Sequence, residues 1–191
     1  MALRDNSKLM KLFAITLIAA SAFFQGLPAL IAAEEMIWNI KAVHPEGRLL
    51  DVKAIDSEGK IYPVKAVASE GNHHLLDVKS LVGNARLPVK ILVSDDKLAP
   101  VKAISETGQV LSIKAITADG QKLDVKGVSR HGTIFNIKAI APDGSYYGIK
   151  ALSSEGRTYD VKGIALGGGA VEGKVNGVDF AAHVKALPQA P

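Results

Sequence analysis

From Trp38 onward, apolar residues return at every second position in a fixed order of large, branched and small: Trp38-Ile40-Ala42, Leu50-Val52-Ala54, Tyr62-Val64-Ala66, Leu123-Val125-Gly127, Phe135-Ile137-Ala139 and Tyr159-Val161-Gly163. A period of two places each trio on one face of a β-strand and sends the residues between them to the other face. A lysine follows Val or Ile at 41, 53, 65, 79, 90, 102, 114, 126, 138, 150, 162 and 185, and most steps are twelve residues. Between strands stand tripeptides such as Pro45-Glu46-Gly47, Ser57-Glu58-Gly59, Ala118-Asp119-Gly120 and Pro142-Asp143-Gly144. Pro or Ser, an acid and then Gly suit a three-residue hairpin loop, a type I turn followed by a glycine at positive φ. Each unit therefore predicts one strand and one turn, repeated over residues 38–165.

These loops predict a register. If Asp56 pairs with Lys60, then Ala54 lies against Tyr62, Leu50 against Ala66 and Asp51 against Lys65, so large meets small throughout the apolar face. The fourteen-residue step before Lys79 calls for a five-residue loop, Ser69 to His73. The eleven-residue step before Lys90 calls for a two-residue loop, Gly83-Asn84. The expected fold is all-β: an antiparallel meander of about 11–13 short strands, closed as a barrel or rolled into two layers. After Gly167-Gly168-Gly169, the stretch VEGKVNGVDFAAHVKAL carries an Asn176-Gly177 hairpin signal and a last strand that could dock beside MIWNIKAV. Residues 166–191 thus form an irregular closing segment of a domain spanning 34–191. A parallel solenoid also gives fixed periods, but its corners do not call for Pro-Asp-Gly loops.

Extending the register along the whole chain gives the polar face two central rows. One alternates lysines with acids in several places. In the other, Lys53, Lys79, Lys102, Lys126 and Lys150 recur every second strand, roughly 9–10 Å apart, largely without acidic partners. This line is the expected ligand-binding feature, suited to a linear polyanion such as an acidic polysaccharide or lipopolysaccharide. Lysines that merely keep the solvent face soluble and block edge association are the plainer reading.

The N terminus breaks the pattern. Lys8 and Lys11 precede an apolar run from Leu12 to Ala33, which reads as a signal-peptide helix over 1–33, cleaved after Ala22 or Ala33. Of 23 basic and 19 acidic residues, three and one lie in this segment, leaving 20 − 18, or +2. No strong overall field then favours nucleic acid. With no cysteine, disulfides and a lipid-attached Cys are excluded.

Candidate chemistry is thin. His73-His74 sit in the expected enlarged loop, His44 flanks a turn and His131 replaces a turn acid, so convergent metal ligation is not expected. Turns with single acids do not supply the six to eight oxygens of a calcium site. Asp95-Asp96 fall in a loop where local backbone hydrogen bonds account for them. No nucleophile elbow or phosphate loop is present, and no catalytic residue or cofactor is assigned. Any acid–base pair would sit in the irregular C-terminal part, around Glu172, Asp179 and His183. The phrases LDVKAIDSEGKIYPVKAV, GQKLDVKGVSRHGTIFNIKAIAPDGSYYGIKAL and YDVKGIAL resemble uncharacterised secreted bacterial proteins built from the same twelve-residue unit. That resemblance implies export and repeat architecture, and no activity.

The sequence thus predicts a periplasmic or secreted, non-enzymatic β-repeat protein, a structural or binding module. Its possible partner is a polyanionic glycan or envelope component, and its mature form has no transmembrane span. A membrane-associated β-barrel is the further alternative.

Overall fold

The structure is a computed structural model in which residues 36–69 and 72–188 are described. The proposed signal segment lies outside the described residues. Thirteen strands form one antiparallel sheet: β1 (Ile37–Val43), β2 (Leu49–Ile55), β3 (Ile61–Ser69), β4 (Asn72–Val82), β5 (Ala85–Leu92), β6 (Ala99–Ile104), β7 (Val110–Ile116), β8 (Lys122–His131), β9 (Ile134–Ile140), β10 (Tyr146–Leu152), β11 (Thr158–Ile164), β12 (Gly173–Val175) and β13 (Val178–Pro188). The expected all-β antiparallel fold is therefore present, and among the described residues no pairing is parallel, which removes the solenoid.

The turns form as their tripeptides dictate. Gly59 donates its N–H to the Asp56 carbonyl at 3.2 Å and has φ +86°, while Asp56 N–H closes the loop on the Lys60 carbonyl. Only a residue without Cβ adopts that φ at little cost. Gly83-Asn84 is the expected two-residue turn, with Val82 paired to Ala85. The expected Ser69–His73 loop is not open: Ser69 pairs with Asn72 across a bulge, and His74 belongs to β4. His131 ends β8 rather than sitting in a turn.

Several hairpins hold over only half of each strand, and this determines the architecture. The first half of β2 pairs with β1 (Lys41↔Asp51, Ala42↔Leu50), whereas its second half pairs with β3 (Lys53↔Pro63, Ala54↔Tyr62). The triangle closes because the first half of β1 pairs with the second half of β3 (Trp38↔Ala66, Asn39↔Lys65). Three further triads repeat this exchange: β4, β5 and β13; β6, β7 and β8; β9, β10 and β11. The opposite edge of every strand forms a seam with one strand of another triad: β1 with β10, β2 with β7, β3 with β4, β5 with β6, β8 with β9, and β11 with β13. Four triads have six pairwise combinations, and each combination has one seam. The connectivity is that of a truncated tetrahedron with a strand at each of twelve corners. Closure thus occurs, yet around four triads rather than one barrel axis or two layers, and it leaves both edges of these twelve strands paired.

The core follows from this arrangement. One Val or Ile from the centre of each of the twelve strands, from Ile40 in β1 to Val184 in β13, converges on an apolar central void of about 10 Å³. At the limit of one water and without polar partners, that space stays dry. Around it large meets small in a cycle within each triad: Leu50 with Ala42, Tyr62 with Ala54 and Trp38 with Ala66 in the first, Tyr147 with Ala139, Tyr159 with Ala151 and Phe135 with Gly163 in the last. The expected contact of Leu50 with Ala66 is replaced by Leu50–Ala42, because β2 leaves β3 at its midpoint. Full burial of a large side chain such as Phe135 contributes about 1.5–3 kcal/mol, and the half-buried Leu50, Tyr62 and Tyr159 contribute less.

One departure from the repeat explains two others. Where most strands read Val or Ile, then Lys and Ala, β5 reads Val89-Lys90-Ile91, and Ile91 is fully buried. A Cβ on Gly163 would lie 2.3 Å from Ile91 Cδ1, and one on Gly127 would lie 3.5 Å from the same atom. Glycine replaces alanine in β8 and β11 where the larger Ile91 occupies the space.

The last strand does not dock beside β1. It pairs with β4, β5 and β11, filling the corner that completes the second triad. The Asn176-Gly177 turn forms as expected, with φ of 47° and 84°. It rests on the β6–β7 turn, where Asn176 Nδ2 donates to the Ser105 carbonyl at 2.7 Å.

Candidate anion-binding surface

The outward residue next to each strand centre is lysine, and the seams bring these lysines together in pairs. Lys41 lies opposite Lys150, Lys53 opposite Lys114, Lys65 opposite Lys79, Lys90 opposite Lys102, Lys126 opposite Lys138, and Lys162 opposite Lys185. Like charges directly opposite in an antiparallel pair are destabilising. Relief comes from inside the triads, where each lysine faces an acceptor position on the neighbouring strand. Each triad supplies one aspartate at these positions: Asp51, Asp77, Asp124 and Asp160 pair with Lys41, Lys185, Lys114 and Lys150 respectively. Lys102 donates to Ser112 at 2.8 Å and Lys162 to Asn136 at 2.7 Å. Lys53, Lys79 and Lys126 face Pro63, Pro88 and Pro100, which offer no side-chain acceptor. Lys53 and Lys79 lean along their own strands to Asp51 and Asp77, at 3.4 and 3.3 Å.

Four aspartates cannot neutralise twelve lysines, so the strand centres together carry excess positive charge, although in the β1–β10 seam Lys41 and Lys150 each have an aspartate. The Lys41 hydrogen bond holds the Asp51 carboxyl below the usual carboxylate range. Burial works to raise Asp77 and Asp124, yet Lys185 and Lys114 hydrogen bonds and neighbouring lysine charges lower both overall. All three thus favour the ionised form.

The five lysines expected to form a line occupy five different seams. Lys53 joins the first and third triads, Lys79 the first and second, Lys102 the second and third, Lys126 the third and fourth, and Lys150 the first and fourth. The expected row does not form, because within triads the register breaks at each strand's centre and in the β3–β4, β5–β6 and β8–β9 seams it is displaced by two residues, setting lysine against lysine. Asp51, placed by that register against Lys65, instead pairs with Lys41.

Two related grooves flank the seams. One, of about 410 Å³, lies beside Asp51 and Lys53 and is walled by Leu49, Leu50, Ile61 and Ile116. The other, of about 340 Å³, lies beside Asp124 and Lys126 and is walled by Leu98, Leu123, Ile140 and Pro142, with Lys114 and Lys122 at its margin.

Sequence reasoning missed the most perturbed cation. Lys90 is only 7 % exposed; its Nζ lies 2.6 Å from His183 Nδ1 and 4.4 Å from the Phe180 ring centroid. Burial first, then the charges of Lys79 and Lys185, pushes its amine down to about 8. Burial and the Lys90 charge likewise lower His183. The signal was readable: β5 alone among the Val-Lys units continues into Ile, and His183 stands at an acceptor position otherwise held by Asp, Asn, Ser, Pro or Gly. Of the other C-terminal candidates, Glu172 is taken up by accepting the Gly167 N–H at 3.0 Å, and Asp179 pairs with Lys174 at 3.3 Å. Glu172 still acts on His183 through its charge, opposing the lowering by burial and Lys90. His44 stacks on Tyr147 with ring centroids 4.8 Å apart. Among the described residues, no three His, Asp or Glu side chains group to hold a metal, and no helix is long and apolar enough to cross a membrane.

A family model described as Family of unknown function (DUF7486) matches residues 34–187, and the chain belongs to that family. No curated protein and no solved structure matches it.

Proposed function

We propose that this member of the family is an exported, non-enzymatic binding module that holds acidic polymers of the cell envelope or exterior through its lysine seams. The observation that carries this reading is the six facing lysine pairs set against four strand-centre aspartates. Facing like charges lower stability, and anionic groups lying along a seam relieve that repulsion as they bind. Because the seams are spread over the whole shell, the geometry suits several chain segments held at different sides rather than one track. An acidic polysaccharide or lipopolysaccharide matches such a partner. Export and a bacterial source rest on the basic-apolar N-terminal sequence and the absence of cysteine. A membrane-associated β-barrel draws no support from an outer face whose strand centres carry lysine.

The test is retention of the chain lacking residues 1–33 on heparin resin, with a salt gradient. The reading predicts retention that falls steeply with salt, and earlier elution of the Lys53→Gln/Lys102→Gln/Lys126→Gln variant, which weakens three seams. Equal elution of variant and parent, or no retention at low salt, contradicts it. Partition with the soluble fraction in the absence of detergent separates a soluble module from a membrane barrel.

A further inference from the structure

We infer that the groove between β8 and β9 is a discrete site for an anionic amphiphile: a phosphate or carboxylate head beside Lys122 and Lys126, with a short aliphatic chain against Leu98, Leu123, Ile140 and Pro142. This deepens the anion-binding reading by assigning one groove and one ligand class. The volume of about 340 Å³ lies within the range of small-molecule sites. Three lysines against the single carboxylate of Asp124 leave a net charge of about +2 there, and Asp124 is taken up by Lys114. Among the described residues, neither Lys122 nor Lys126 makes an ion pair with a carboxylate, although the Lys126 charge helps to lower Asp124. Lys126 faces Pro100 within its triad and Lys138 across the seam, so no acceptor opposite it satisfies the ammonium.

The fold supplies an internal control. The groove beside β2 and β7 is its counterpart: Asp51 opposite Ile116 corresponds to Asp124 opposite Ile140, Lys53 to Lys126, Leu50 to Leu123 and Ile61 to Leu98. The two grooves differ at the first strand position, Leu49 in one and Lys122 in the other. The counterpart thus keeps the apolar walls but lacks the Lys122 ammonium, and its Lys53 leans to Asp51 at 3.4 Å. An ammonium that hydrogen-bonds an anion contributes more than one in a neutral pair, so the groove with Lys122 is the one selected.

Titration with octyl phosphate, followed by calorimetry and by backbone amide shifts, tests this. The inference predicts saturable binding with shifts confined to residues around Lys122, Lys126 and Ile140. Inorganic phosphate and neutral octyl glucoside each bind about tenfold or more weakly, and Lys122→Leu/Lys126→Gln weakens octyl phosphate by at least about tenfold. Leu49→Lys creates a second site beside Asp51. Unchanged affinity in the double variant, octyl glucoside binding as well as octyl phosphate, shifts at the β2–β7 groove in the parent chain, or no effect of Leu49→Lys each overturns it. Heparin retention lost with octyl phosphate binding intact removes the polymer reading alone; the reverse removes the groove alone.

Discussion

Gly163→Ala is the sharpest probe of how the triads interlock. Gly163 does not occupy the left-handed region, so the substitution isolates packing from backbone strain. The added Cβ would sit 2.3 Å from Ile91 Cδ1, 3.3 Å from Ile91 Cγ1 and 3.0 Å from Phe135 Cβ. Favourable carbon contacts begin near 3.5 Å, so the overlap with Cδ1 exceeds 1 Å by rough reckoning. Ile91 has little room to yield, since it also packs beside Gly127. Overpacking of this kind destabilises by about 1–3 kcal/mol. Ile91→Ala alone empties the same space and costs about 2–5 kcal/mol. Combining them restores the Val-Lys-Ala phrase in both strands and lets the new methyl occupy part of the space that Ile91 leaves. The double variant is therefore more stable than the sum of the single effects by about 1–3 kcal/mol. Urea unfolding of the four proteins, with m unchanged across the set, measures that coupling. Additivity within about 0.5 kcal/mol would show that β5 and β11 do not meet as described.

The remaining predictions concern other departures from the repeat. Ser80 is fully buried and among the described residues its hydroxyl has no hydrogen-bond partner, so Ser80→Ala raises stability by about 1 kcal/mol; a lower melting temperature would refute this. Lys90 titrates near 8 when folded and near 10.5 when unfolded, so between those values the unfolded chain binds the extra proton and stability rises with pH. Lys90→Met is predicted to stabilise the fold at pH 7 and to flatten the rise of melting temperature between pH 7 and 9.5; an unchanged rise counts against a buried ammonium. Gly108→Ala is expected to destabilise more than Gly120→Ala, by about 1 kcal/mol or more on chemical denaturation. Both glycines have positive φ, but a Cβ at 108 would meet the Asn176 carbonyl oxygen at 2.5 Å, whereas none lies within 4 Å at 120. Equal losses would mean that the β12–β13 turn does not rest there.

Hairpins were legible in the sequence because their determinants are local. A Gly three residues into a turn fixes the loop, the loop fixes the pairing of the nearest residues, and Lys53↔Pro63 and Ala54↔Tyr62 follow. The fork at the strand centre was not legible, because strict alternation of large, branched and small serves two partners as well as one. Ala66 needs a large neighbour, and both Leu50 and Trp38 qualify; only the closure of β1 onto β3 selects Trp38. The lysine row failed partly for the same reason, since within triads it extended a local register past the residue at which each strand changes partner, and partly because between consecutive strands of different triads the register itself is displaced by two residues, as in Lys65↔Lys79 and Lys90↔Lys102. The charged pairs within triads were readable: Lys114↔Asp124 and Lys150↔Asp160 lie in single hairpins. The seams were not: Lys41↔Lys150 and Lys53↔Lys114 join residues far apart in sequence, and in the seams between consecutive strands the bulges at Ala68/Ser69 and Gly127/Ser129 shift the register that the loops suggested, so that Lys65 faces Lys79 and Lys126 faces Lys138. Gly127 and Gly163, set against Ile91, are the one trace of long-range packing that the repeat itself displays.

Cysteine pairs provide the most direct measurement, because the chain has no cysteine of its own. Paired residues on antiparallel strands have Cα atoms about 4.5–5.5 Å apart, within disulfide reach. Forked pairing predicts that Asn39→Cys/Lys65→Cys oxidises to an intramolecular disulfide, seen by mass spectrometry, while Asp51→Cys/Lys65→Cys remains reduced under the same mild conditions. A disulfide in the second pair and none in the first would return the chain to a simple meander and contradict the four-triad fold.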